Sequence, residues 1–154
     1  MARLIAFENV TLDGYFTGPD GDLSWAHNQE KDPEWDEFVA ENAGGGGRLL
    51  LGRKTYELME SYWPTPQAAR NDPEVAKGMN SLAKVVFSKT LDQATWSNTT
   101  LKKGNLADEV RKMKKAPGDH IAVLGSGSVP LTVLNDVVSR WTLTAGEHGA
   151  ALPQ

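Results

Sequence analysis

Leu49, Leu50 and Leu51 run into Gly52, and Arg53, Lys54, Thr55 and Tyr56 follow. Three leucines suit a strand covered on both faces. A glycine turn then opens the first turn of a helix. The N–H groups of residues 53–55 would point out of that helix end, where the dipole favours an anion. Arg53 and Lys54 oppose the same dipole, and a bound phosphate would account for them. A strand–turn–helix corner with solvated basic residues is the plainer alternative. Two further strand ends carry turns of the same kind. Ser88, Lys89 and Thr90 follow Lys84-Val85-Val86-Phe87, and Gly125, Ser126, Gly127 and Ser128 follow Ile121-Ala122-Val123-Leu124. Any one such turn is weak evidence. Three together suit a ligand with three anionic groups, and NADPH, with a diphosphate and a 2′-phosphate, has that pattern.

Other chemistries lack their residues. There are no cysteines, so disulfides, thiolate metal sites and a cysteine nucleophile are excluded. His27, His120 and His148 are scattered without metal-ligand spacing, so no metal site is expected. No Gly-x-Ser-x-Gly elbow, Walker loop or long Rossmann fingerprint occurs. Hydride transfer needs no protein nucleophile, because the cofactor supplies the reactive atom. The 154 residues carry a net charge of −4 with 40% hydrophobic and 23% charged residues. That balance fits one globular domain and argues against a general nucleic-acid or membrane-surface binder. The short apolar N-terminus is broken by Glu8 and Asn9, too soon for a signal segment or membrane span, and a cytoplasmic location is expected.

These turns need elements to hold them. A first strand is expected over 3–10 and a long loop over 11–31, with Asp13-Gly14 at its first corner. Asp32 before Pro33 starts a helix with Phe38 and Val39 inward, stopped by the glycines at 44–47. Helices are expected over about 53–62, from Asp72-Pro73 to Leu82, and from Asn105 to Lys115. Strands are expected over 84–88 and 96–101. Ile121 to Leu124 form another strand, Ser128 caps a helix to about Val138, and residues 140–144 alternate as a last strand. Helices alternating with strands imply an α/β fold with a largely parallel sheet between helix layers. The expected division is one domain over 1–144 and a short tail over 145–154.

In this order the motifs resemble the dihydrofolate reductase-like family, in the branch of the riboflavin-biosynthesis reductase domain and small stand-alone reductases. The points of likeness are Thr11-Leu12-Asp13-Gly14, Leu51-Gly52-Arg53-Lys54-Thr55-Tyr56-Glu57, Lys84 to Leu91, Trp96-Ser97-Asn98-Thr99 and Val123 to Ser128. The resemblance implies that family's three-layer fold and an NADPH-dependent reductase of a pteridine-like or pyrimidine-like small molecule. By resemblance, Gly52, Arg53, Lys54 and Thr55 match the diphosphate turn, and Ser88 and Lys89 the 2′-phosphate site, with Thr90 beside them also expected to bind the cofactor. Gly125, Ser126, Gly127 and Ser128 match the turn beside nicotinamide and diphosphate. Asp13 and Gly14 match the nicotinamide–substrate side.

Two departures bear on the chemistry. The family's substrate acid lies four residues before an aromatic on the first helix. Glu34 and Phe38 have that spacing, with Asp36 as competitor, although acids at a helix start need no further reason. The family's C-terminal hairpin looks truncated or replaced after Val137-Val138-Ser139-Arg140-Trp141. A bare sheet edge invites a homodimer. The alternative function is a non-catalytic NADP(H)- or nucleotide-binding oligomer with a degenerate substrate site.

Overall fold

The computed structural model describes residues 2–7, 10–11, 13–15, 17–22, 33–44, 47–116, 120–125 and 140–141. Ser126, Gly127, Ser128, the helix expected after them, residues 142–144, the tail, His27 and His148 lie outside these. The strands are β1 (Leu4–Phe7), β2 (Arg48–Gly52), β3 (Ala83–Phe87), β4 (Thr99–Lys102), β5 (Ile121–Leu124) and β6 (Arg140–Trp141). The helices are α1 (Pro33–Gly44), α2 (Arg53–Tyr62), α3 (Pro66–Asn71), α4 (Pro73–Ser81) and α5 (Leu106–Lys115). The sheet order is β4-β3-β2-β5-β1-β6, and every pairing is parallel.

Parallel strands must be joined by crossovers, which are right-handed, so the direction of travel chooses the face. From β2 to β3 to β4 the chain moves one way along the sheet, and α2, α4 and the crossover 88–98 cover one face. There Leu49, Leu51 and Val86 pack against Tyr56, Met79, Leu82 and Trp96. From β4 the chain returns to β5, and α5 covers the other face. There Leu50, Val85, Ile121 and Val123 pack with Val110, Leu106 and Met113. The consecutive leucines of β2 therefore serve two cores. Leu50 and Leu51 are fully buried, and burying each contributes about 1.5–3 kcal/mol. The three layers expected from the sequence are present.

Local chemistry sets the boundaries. The side chain of Asn105 accepts from the Asp108 N–H at 3.1 Å and starts α5. Along α5, the Lys112 and Lys102 ammonium groups beside Glu109 hold its carboxyl below the usual carboxylate range. Lys112 and Lys102 approach Glu109 at 2.8 and 3.1 Å, which ties this helix to the edge strand β4. Helix α3 was not expected, yet Thr65 accepts from the Ala68 N–H at 3.2 Å with Pro66 behind it. Helix α1 ends at Gly44, the first residue of the glycine run that was expected to stop it. Gly47 has φ +96°, and a Cβ there would lie 2.6 Å from the His120 carbonyl oxygen. Only glycine lets β2 start beside β5 at that point.

Candidate functional site

The first residues of the expected turns, Gly52, Ser88 and Gly125, stand at the carboxyl ends of β2, β3 and β5. Gly52 pairs with Phe87 and Phe87 with Lys102, while Phe7 pairs with Leu124. After β2 the chain leaves towards β3, and after β5 it leaves towards β6 on the far side of β1. Neighbouring strands whose connections diverge leave a crevice at their carboxyl ends, where α/β proteins bind ligands. The Thr55 hydroxyl donates to the Gly125 carbonyl oxygen at 2.9 Å and joins the two turns across this crevice. Gly125 has φ +50°, and a Cβ there would sit 3.7 Å from Thr55 Cγ2. A side chain would strain this backbone and fill the mouth of the crevice.

On one flank, Gly52 is the extended N-cap of α2, has no side chain to cap it, and no acid follows in the first turn. Lys54 is exposed. Arg53 is differently placed. Its guanidinium donates to both Glu57 carboxylate oxygens, at 3.0 and 2.9 Å. That pair, one helical turn apart, is itself a local reason for an arginine at this helix end.

On the other flank, Ser88 donates its N–H to the Lys102 carbonyl at 3.1 Å. Its hydroxyl oxygen accepts from the N–H groups of Thr90 and Leu91, at 3.1 and 2.9 Å. The Ser88 side chain thus shapes the turn that carries Lys89, which is exposed. Between the flanks runs an open groove of about 690 Å³ lined by Arg53, Glu57, Thr90, Leu91, Asp92 and Gln93.

The two expected catalytic acids are both exposed. Asp13 accepts from the Thr11 hydroxyl at 2.5 Å, inside a turn where the Thr11 N–H reaches the Tyr15 carbonyl at 2.7 Å. This turn follows β1 on the carboxyl side. Glu34 lies in the first turn of α1, the element whose Phe38 ring stands 6.1 Å from that of Phe7 in β1. Among the described residues no group of three or more His, Cys, Asp or Glu could hold a metal. No described helix is long and apolar enough to cross a membrane.

Two residues behind the site were missed. The buried Tyr56 hydroxyl accepts from the N–H groups of Thr95 and Trp96, both at 3.0 Å, and donates to Glu60 at 3.0 Å. Thr95 also bonds Glu60 through its hydroxyl. This latch fixes the crossover 88–98, one wall of the groove, to α2, which supplies the other wall. Lys84, 1% exposed, donates to the carbonyls of Met79 and Leu82, both at 2.7 Å, and lies 4.3 Å from the Trp96 ring centroid. Its ammonium caps the negative end of α4. Burial lowers its pKa to about 8. The Trp96 indole N–H in turn donates to Asn80 at 2.7 Å. A lysine inside an apolar strand was the available signal.

Residues 2–138 match the family model described as RibD C-terminal domain. The chain is 30% identical over 133 residues to the uncharacterized protein YyaP of Bacillus subtilis (strain 168), covering 86% of this chain and 68% of that one. In fold it is similar to the crystal structure of a proposed riboflavin biosynthesis protein from Shewanella sp. PV-4. The TM-score is 0.56 at 20% identity, over 92% of this chain and 74% of that one.

Proposed function

The chain belongs to the RibD C-terminal domain family, and from that premise we propose that it is an NADPH-dependent reductase of a small heterocyclic substrate, pteridine-like or ribosylaminopyrimidine-like. The observation that carries the reading is the Thr55–Gly125 bond across the crevice between β2 and β5, flanked by one further turn suited to anions, that of Ser88 to Thr90. The residues fit the cofactor. Gly52 brings no side chain to the start of α2 and Gly125 holds a φ of +50° without one, so at neither point does the residue's own side chain cover the backbone. In this reading the turn of Gly52, Arg53, Lys54 and Thr55 holds the diphosphate through its backbone N–H groups, and the Arg53 side chain, which shares a groove with Thr90, joins Ser88, Lys89 and Thr90 on the side of the 2′-phosphate. Gly125, with Ser126, Gly127 and Ser128 after it, borders the nicotinamide. NADPH, when bound, supplies the hydride. The protein's part is to grip the anionic groups, orient the ring and hold the substrate beside it. Asp13 and Glu34 are the acids proposed for the substrate side. The protein is further proposed to be a cytoplasmic homodimer, paired across the sheet edge beyond β6.

A non-catalytic nucleotide-binding protein is the second reading. The observation favouring it is that Asp13 is exposed and already bonded within its own turn. NADPH oxidation separates the two, and Asp13→Asn tests the residue. Asn supports the same turn, so the melting temperature should hold while turnover at saturating NADPH falls at least tenfold, a drop of the size general acid–base groups commonly give. Unchanged turnover would remove Asp13 from the site. No NADPH oxidation with any pterin or pyrimidine tried would favour the second reading.

A further inference from the structure

The groove between α2 and the crossover 88–98 carries one cation, Arg53, and two acids, Glu57 and Asp92, among its six lining residues. Its only positive charge is held, through one guanidinium nitrogen, by both oxygens of Glu57. A phosphate entering this groove therefore meets more negative than positive charge, and the one cation that could bind it is already held. A ribose hydroxyl meets no such obstacle, because it can donate to the Glu57 carboxylate. The pair is also easily opened. Both side chains are about two-fifths exposed, at 41% and 43%, and exposed pairs one turn apart are weak and screened by salt. A dianionic phosphate is the stronger partner for an arginine fork.

We infer that Glu57 sets how strongly the site prefers a 2′-phosphorylated nucleotide over its unphosphorylated counterpart, by holding Arg53 until a 2′-phosphate takes its place. The inference rests on the proposed nucleotide site and adds a specificity-determining residue to it. Glu57 acts through Arg53 and touches no reacting atom. The phosphorylated ligand bears the cost of breaking the pair, and the carboxylate left behind repels it. An unphosphorylated ligand leaves the pair in place.

The test is a titration of NADPH, NADH and adenosine 2′,5′-bisphosphate into wild type, Glu57→Gln and Asp92→Asn at fixed ionic strength. Glu57→Gln should tighten NADPH and the bisphosphate by about 3- to 10-fold, the scale of removing one charge near a dianion in a solvated groove. NADH affinity should change less than about twofold, since a carboxamide still offers an oxygen to a ribose hydroxyl. Asp92→Asn removes an equal charge but leaves Arg53 paired, so its gain should be smaller. Equal gains from the two variants, equal shifts for NADPH and NADH, or no tightening in Glu57→Gln would each overturn the inference while leaving the nucleotide site standing. Failure of wild type to bind any of the three would overturn the nucleotide site and the inference with it. Both substitutions are at exposed positions, and superimposable thermal melts confirm that the variants are folded.

Discussion

Tyr56→Phe should lower folding stability by about 2–3 kcal/mol, read from urea unfolding as a lower midpoint with an unchanged slope. The ring stays, so no cavity forms and the packing against Trp96, 6.3 Å between centroids, is retained. What goes is one oxygen that accepts from two backbone N–H groups and donates to Glu60. The Trp96 N–H lies in a buried setting and loses its partner outright, whereas Thr95 is exposed and can turn to water. Only one of the two orphaned donors therefore carries the full desolvation penalty. The same variant should also loosen the groove, because the latch joins its walls. A loss below about 0.5 kcal/mol would show that other contacts hold the crossover against α2 without the hydroxyl.

Stability should rise, not fall, as pH passes from about 8 to 10.5, by up to about 3 kcal/mol from Lys84 alone. The sign follows from the direction of the shift. Desolvation lowers the folded-state pKa of Lys84 to about 8 from the ordinary 10.5. Between those values the unfolded chain holds the proton and the folded one has released it, so raising the pH favours folding. Below pH 8 both states are charged, and the fold carries the full penalty of the buried ammonium. Other lysines and tyrosines titrate in the same range, so the quantity to measure is the difference between wild type and Lys84→Met, whose side chain does not titrate. That difference should grow in favour of wild type through this window. A flat difference would mean that the Met79 and Leu82 carbonyls and the Trp96 ring fully offset the desolvation.

The sequence showed most clearly what local chemistry decides. Helix α2 begins and ends where the Gly52 turn and the Trp63-Pro64 break place it. Asp72-Pro73 and Asn105 marked α4 and α5 for the same reason, since caps and proline act within a turn of themselves. Helix α3 carried an equal signal in Thr65-Pro66, but six residues give too little periodicity to notice. Meetings between distant segments were not legible. Nothing in residues 84–96 alone says that Lys84 reaches back to the end of α4, or that Tyr56 bonds the backbone forty residues later. At the site, the strand-end turns were visible because three apolar runs each pass into a turn of glycine, serine or lysine, and the parallel register of β2 with β3 and β5 aligns their ends. The charge of Arg53 was visible too. Its partner Glu57 also stood in the quoted motif, but a four-residue spacing on a helix becomes a contact only once the helix start is fixed.

The most direct test of the nucleotide site is a titration of NADPH and NADH into the wild-type protein and Lys89→Ala at fixed ionic strength. Wild type should bind NADPH more tightly than NADH. Lys89→Ala should lose roughly tenfold or more of its NADPH affinity, as expected for one charge-assisted hydrogen bond, with NADH affinity little changed. Equal affinities for the two cofactors in wild type, or an undiminished preference in Lys89→Ala, would contradict the assignment of the turn after β3 to a 2′-phosphate.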